Sequence, residues 1–130
     1  MTTKIHACVD ALGNPLRIEI SGGQVHDSLF AEALLAGFDA ADYVIADCAY
    51  DADRIRVVIA KQLGAEAVIP SNPSRAGAIP MDEELYKERH LIECFFNRIK
   101  RYRRIALRCE KTLASFRAFV MIACTMVWLA

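Results

Sequence analysis

The chain has 130 residues, of which 55% are hydrophobic and 25% are charged. This balance is typical of one compact folded domain, and it excludes a disordered chain. The formal net charge is zero, but residues 1–86 carry 6 Lys and Arg against 13 Asp and Glu, whereas residues 87–130 carry 10 against 3. The two parts therefore have net charges of −7 and +7, and the basic C-terminal part favours a polyanionic partner.

The sequence indicates neither export nor a membrane anchor. Residues 1–4 run straight into a strand-like pattern, and the longest uncharged apolar run, residues 118–130, is shorter than the roughly 17 to 25 residues of a spanning helix. The five cysteines are odd in number and include no C-x-x-C pair, so they predict neither a disulfide framework nor a zinc site. We expect a reducing compartment, the cytoplasm, and no membrane partner.

The predicted elements begin with a β-hairpin. Residues 4–10 (KIHACVD) and 16–20 (LRIEI) alternate apolar and polar side chains on either side of the turn sequence A-L-G-N-P. A helix over residues 28–36 follows, with Asp27 as its predicted N-cap and Gly37 at its end.

The rest of the chain alternates strands and helices. Asp51 or Asp53 is the predicted N-cap of the second helix. The strand, strand, helix, strand, helix, strand, loop, helix, helix order favours an α/β domain in which helices flank a mixed sheet. The predicted elements are a strand over residues 42–47 (DYVIAD), a helix ending at Gly64, a strand over 67–70 (AVIP), a loop over 70–80 and helices over about 82–104 and 112–129.

Four polar side chains of the predicted helix over residues 82–104 share one side. At 100° per residue, Arg89, Glu93 and Lys100 lie at about −60°, −20° and −40° from Tyr86, along the border of an apolar face. A solvated i,i+4 pair between Arg89 and Glu93 explains this pattern, with a contact worth only about 0.2–0.5 kcal/mol. The alternative is a carboxylate that holds a divalent cation beside side chains that contact phosphates.

Asp47 offers a second carboxylate. A strand that ends in an acid presents it at the carboxyl edge of a sheet, where α/β proteins bind ligands. The plainer alternative is a cap or turn residue. Two acids from different elements can hold a hard metal such as Mg²⁺, which stabilises the attacking and leaving oxygens of a phosphoryl transfer.

The spacing Y-x2-R-x3-E-x6-K from Tyr86 to Lys100 resembles the signature around the third catalytic acid of bacterial insertion-sequence DDE transposases. The segment ADYVIADCAYD around Asp47 resembles that family's strand with the second catalytic aspartate, and TTKIHACVDALGNP resembles its preceding hairpin. The similarity covers essentially the whole of residues 1–130 and corresponds to the C-terminal part of the catalytic domain.

The resemblance implies an RNase H-like fold and DNA cleavage and strand transfer that depend on Mg²⁺ or Mn²⁺. It makes Asp47 and Glu93 catalytic metal ligands, and it makes Tyr86, Arg89 and Lys100 contacts to transposon-end DNA. The intact protein would work as a homo-oligomer or transpososome. A basic patch, predicted to contact the DNA backbone, consists of Arg98, Lys100, Arg101, Arg103, Arg104 and Arg108.

The family's first catalytic aspartate and the central strand that carries it have no counterpart in the sequence. Asp10 lies at the hairpin turn, where aspartate has an ordinary turn role. In RNase H-like sheets the first strand pairs with both the hairpin and the strand of the second aspartate, so we expect unpaired strand edges and marginal stability. We therefore expect the isolated chain to have no transposase activity.

Two explanations fit a start at Met1. One is a decayed or misassigned fragment of a transposase gene. The other is the second reading frame of an element that joins two frames by ribosomal frameshifting, with the upstream frame product as a partner. Two other functions stay open: a non-catalytic DNA-binding or regulatory fragment, based on the basic patch, and a structural or interaction protein with no nucleic-acid role.

Overall fold

The computed structural model describes residues 3–102 and 113–129. Its first two strands, β1 (Thr3–Val9) and β2 (Pro15–Gly22), pair antiparallel, which confirms the predicted hairpin. Asp10 closes the turn, because its Oδ1 accepts hydrogen bonds from the backbone N–H groups of Leu12 and Asn14, each at 2.9 Å. The ordinary turn role predicted for Asp10 is therefore confirmed.

A short helical segment follows the hairpin. A 3₁₀ turn over Asp27–Phe30 leads into helix α1, Ala31–Leu35. The predicted capping role of Asp27 is wrong, because His26 Nδ1 accepts the capping hydrogen bond from a backbone N–H at 3.2 Å. The Asp27 carboxylate instead forms an ion pair with Lys4 of β1 at 3.0 Å. The ion pair with a residue from another element thus takes the place of the predicted capping hydrogen bond.

A strand–helix–strand unit comes next. Strands β3 (Tyr43–Ile45) and β4 (Glu66–Val68) are parallel neighbours, and helix α2 (Asp53–Gln62) connects them. The helix is followed by Gly64 at φ +61°, a conformation that favours glycine, so the predicted stop is confirmed.

Neither acid predicted to cap α2 does so. The N-cap residue is Ala52, whose side chain makes no capping hydrogen bond, and Asp53 is the first helical residue. The Asp51 side chain is fully buried and binds Arg56 at 2.8 Å and Arg75 at 2.7 Å. Asp51 thereby connects the loop over residues 70–80 to α2. These ion pairs take the place of the predicted capping hydrogen bond.

The C-terminal part is helical. Helix α3 (Glu83–Tyr86), a 3₁₀ turn (Lys87–Arg89) and helix α4 (His90–Ile99) occupy the span for which one long helix was predicted, and α5 covers Leu113–Leu129. The predicted helix therefore forms over residues 83–99, but it contains a 3₁₀ turn and ends earlier than predicted. The backbone N–H of His90 donates to the carbonyl oxygen of Lys87, the i→i+3 bond of a 3₁₀ turn, and His90 Nδ1 lies 2.9 Å from the same oxygen.

The sheet is divided in two. Within residues 3–102 and 113–129, β1 pairs only with β2 and β3 only with β4, so the predicted single mixed sheet does not form. The core is divided as well: Phe95 and Val120 belong to a cluster beneath the hairpin, whereas Ile55 and Ile59 belong to another around α2. The α/β class is confirmed, and the RNase H-like arrangement stays a prediction. No helix in the described ranges has the length and hydropathy that crossing a bilayer requires.

Candidate functional site

Asp47 lies two residues after β3 and uses its two carboxylate oxygens differently. Oδ1 accepts a hydrogen bond from the backbone N–H of Ala49 at 2.9 Å and caps the 3₁₀ turn Cys48–Tyr50. Oδ2 faces Arg89 Nη2 at 3.6 Å. The side chain is 38% exposed, so a capping role and access to a ligand coexist in one residue.

Glu93 lies on α4, one turn after Arg89. Its Oε1 accepts a hydrogen bond from Arg89 Nη1 at 2.6 Å, which is the i,i+4 pair that the sequence offered as the plainer alternative. With Glu93 56% and Arg89 33% exposed, the pair contributes only about 0.3–0.5 kcal/mol. The same guanidinium also reaches Asp47, so two carboxylates from distant parts of the chain face one cation.

Tyr86 belongs to the same cluster. Residues three apart eclipse one another in a 3₁₀ turn, which keeps Tyr86 on the side of Arg89 although the helix is interrupted. Burial raises the pKa of the Tyr86 phenol, Asp47 and Glu93 raise that pKa further, and Arg89 opposes them. The phenol therefore stays protonated and can donate a hydrogen bond.

The predicted basic residues lie further along α4. Lys100 is the exposed C-cap of this helix, and among the described residues it makes no hydrogen bond or ion pair with Asp47 or Glu93. Arg98, Arg101 and Tyr102 are exposed beside it. Arg103, Arg104 and Arg108, which complete the predicted patch, lie outside the described residues.

A cavity of about 710 Å³ opens beside the acids, and Asp47, Arg89 and Glu93 are among its lining residues. Tyr50 also lines it and was missed by the sequence analysis. Burial, followed by the charges of Asp27 and Asp47, raises the pKa of Tyr50 to about 12. Tyr50 follows Asp47 by three residues, and in a 3₁₀ turn this spacing places both side chains on the same side. The sequence alone does not indicate that the turn is 3₁₀.

The two acids have the chemistry of a hard-metal site but not its full ligand set. Carboxylate oxygens are the ligands that Mg²⁺ uses in proteins. Across residues 3–102 and 113–129, however, no group of three or more Asp, Glu, His and Cys is arranged to hold a metal ion. Asp47 and Glu93 therefore supply two carboxylates of the donor type that Mg²⁺ uses, and Arg89 balances their charge.

Comparisons with known proteins found two similar sequences, a protein family and a single relative. The family described as transposase DDE domain matches residues 1–128. A putative transposase for insertion sequence element IS6501 from Brucella ovis is 57% identical over 129 residues, which cover 99% of each chain. No solved structure gives a significant match. The matched span includes every described residue of the site.

Proposed function

Since the chain belongs to the transposase DDE-domain family, we propose that Asp47 and Glu93 are two metal ligands of a site that cuts and joins DNA. The observation that carries this proposal is their convergence on Arg89, at 3.6 Å and 2.6 Å. The shared contact brings two acids from distant parts of the chain to the edge of one cavity, which both of them line.

The proposed metal is Mg²⁺ or Mn²⁺, held by Asp47 Oδ2 and the Glu93 carboxylate. When bound, it would stabilise the charge that develops on the phosphodiester oxygens. Arg89 can turn from the acids to a DNA phosphate, and the protonated phenol of Tyr86 can donate a hydrogen bond to a phosphate oxygen. A further carboxylate has to come from outside the described residues, and an RNase H-like arrangement would place it there.

Metal binding tests the ligand assignment. We expect Mn²⁺ titration, followed by electron paramagnetic resonance of the free ion, to show weak binding that Asp47→Asn and Glu93→Gln each reduce. Asp53→Asn is the matched control, since this acid is 85% exposed and belongs to the Arg75 network. Unchanged Mn²⁺ binding in both site variants would refute the assignment.

Activity tests the incompleteness of the site. We expect the isolated chain to leave transposon-end DNA intact in the presence of Mg²⁺, because two carboxylates do not complete the ligand set. Nicking that depends on Mg²⁺ and disappears in Asp47→Ala would overturn that expectation, although it would support the assignment of Asp47 as a metal ligand.

A second candidate is a non-catalytic DNA-binding fragment, and the exposed basic side chains at the end of α4 favour it. DNA contacts by the predicted patch, including Lys100, Arg101, Arg103 and Arg104, would be made to the backbone and would be largely independent of sequence. Changing Arg98, Lys100 and Arg101 to glutamine should lower the slope of log K against log salt by about 2.7 if all three contact phosphates. Lys61→Gln, an exposed cation on α2, should leave the slope unchanged. Equal slopes in all variants would mean that these basic side chains do not contact DNA phosphates.

A further inference from the structure

Helix α5 is apolar on the side that faces away from the core as well as on the side that packs into it. Phe116, Val120 and Val127 are buried in the cluster beneath the hairpin. At 100° per residue, five large apolar side chains lie within a sector of about 160° on the opposite side. They are 47% to 76% exposed: Met121, Ile122, Met126, Trp128 and Leu129. A helix that is hydrophobic on all sides is typically covered on all sides, so we expect a partner on the outer side.

The outer side of α5 carries no charge. The one charged residue of the sequence from Leu113 to Leu129 is Arg117, which lies at the border of the sector and pairs with Glu19 of β2 at 3.9 Å. The hydroxyl of Thr125 is satisfied within the helix, because its Oγ1 donates a hydrogen bond to the carbonyl oxygen of residue 121 at 3.0 Å. Covering this surface would therefore bury neither an unpaired charge nor an unsatisfied Thr125 hydroxyl.

The area of this surface is sufficient for a dimer. A large side chain has roughly 150–250 Å² of surface, so half exposure leaves about 100 Å² of each and about 500 Å² of the five together. Three exposed small residues lie between them and raise the total to about 600 Å²: Ala114, Ala118 and Thr125. Two copies that cover each other would bury about 1,200 Å², which reaches the roughly 1,200–2,000 Å² of a specific, stable interface.

The spacing of the exposed residues fits a helix pair. Ala118, Ile122, Thr125 and Leu129 recur at intervals of four, three and four residues, as in helices that pack side by side. The small side chains of Ala118 and Thr125 flank Ile122, so a second helix can approach closely.

An antiparallel arrangement of the two helices fits the charges best. It opposes the two helix dipoles. With Ile122 at the crossing, it also separates the two copies of Arg117 by about 15 Å along the axis. A parallel pair would place these guanidinium groups at the same level, where they repel each other.

We propose that the outer side of α5 binds the same surface of a second copy of the chain, as an antiparallel helix pair with a two-fold axis near Ile122. Such an isologous contact places Ile122 against Ile122 of the partner subunit. The pair needs neither DNA nor metal. It is independent of the proposed metal ligands, because no residue of Leu113–Leu129 lines the cavity beside Asp47 and Glu93.

Charge variants at the crossing test this helix pair. The full chain without DNA or metal should sediment as a dimer at about 100 µM. Ile122→Glu should weaken the dimer at least about a hundredfold, because two glutamates would face each other in an apolar contact. Ile122→Lys should weaken it for the same reason. An equimolar mixture of the two variants should restore the dimer, since opposite charges then meet across the axis.

Val57→Glu and Val57→Lys are the matched controls. Val57 lies on α2 and is 50% exposed, close to the 59% of Ile122, and both control variants should dimerise like the parent chain. Circular dichroism checks that all variants are folded. If a charged Ile122 variant is unfolded, Ala118→Trp tests the same surface with a bulky side chain at an exposed position and should weaken the dimer about tenfold.

Three results would overturn the proposal. A parent chain that is monomeric at about 100 µM would mean that this surface does not self-associate. A dimer that Ile122→Glu and Val57→Glu affect equally would mean that another surface, such as a strand edge, forms the contact. Folded Ile122→Glu and Ile122→Lys chains that stay monomeric when mixed would exclude a two-fold axis near Ile122. Because no result depends on metal or DNA, failure of the helix pair is distinguishable from failure of the metal-site proposal.

Discussion

Replacing Asp51 with asparagine should destabilise α2 far more than the same change at the neighbouring Asp53. The Asp51 carboxylate is fully buried and binds Arg56 at 2.8 Å and Arg75 at 2.7 Å. It also accepts a hydrogen bond from the backbone N–H of Asn72 at 2.6 Å. The Arg75 contact is the main reason that the pKa of Asp51 lies well below its usual range.

The magnitude follows from what the substitution leaves behind. Removing one partner of a buried ion pair costs about 3–5 kcal/mol, because the other charge stays desolvated. Arg56 and Arg75 are 14% and 20% exposed and can recover some hydration, so we expect about 3 kcal/mol for Asp51→Asn. Asp53 is 85% exposed and contacts Arg75 at 2.9 Å, so Asp53→Asn should cost only about 0.2–1 kcal/mol.

Native-state hydrogen exchange of the α2 amides measures both variants. At about 1.4 kcal/mol per factor of ten, the Asp51 variant should exchange roughly a hundredfold faster than the parent chain, and the Asp53 variant at most about fivefold faster. Circular dichroism confirms that the parent fold persists. Equal acceleration in the two variants would show that burial of the Asp51 carboxylate does not set its contribution.

Three further predictions address other parts of the molecule. His6 is buried, with 3% exposure, and burial holds its pKa below 6.5. The neutral imidazole's contribution to stability is therefore complete above pH 6.5 and declines as the pH falls below it. The melting temperatures at about pH 7.5 and about pH 5.5 should accordingly differ less in His6→Gln than in the parent chain. Arg89→Met should tighten Mn²⁺ binding severalfold, because it removes the positive charge that faces both carboxylates and repels a cation. Weaker binding in a calorimetric titration would contradict this electrostatic role. Trp128→Phe removes the hydrogen bond from Nε1 to the carbonyl of Pro15 at 2.8 Å and should lower the free energy of unfolding in urea by about 0.5–1.5 kcal/mol; no change would mean that water replaces this bond at no cost.

Features with local causes could be predicted from the sequence. The hairpin follows from two alternating segments around a turn, and Asp10 closes that turn through residues within four positions. The end of α2 depends on Gly64, whose φ of +61° favours glycine. In each case the decisive contact or conformation lies within a few residues.

Features with distant causes could not be predicted from the sequence. Asp27 is an apt N-cap by type, but Lys4 from another element binds it. Asp51 is equally apt, but Arg75, 24 residues away, fixes it. The second contact of Arg89, to Asp47, has no local signal either. The 3₁₀ interruption of the predicted long helix is hidden for a different reason, since periods of 3.0 and 3.6 residues hardly diverge over one turn.

The divided core has a consequence for cooperativity. One cluster joins the hairpin to α4 and α5, and the other surrounds α2, so each half can open without exposing the whole interior of the other. The chain's single tryptophan, Trp128, lies in the first half, whereas the α2 amides report on the second. Denaturation followed by these two probes should give two transitions at different urea concentrations, a departure from two-state behaviour.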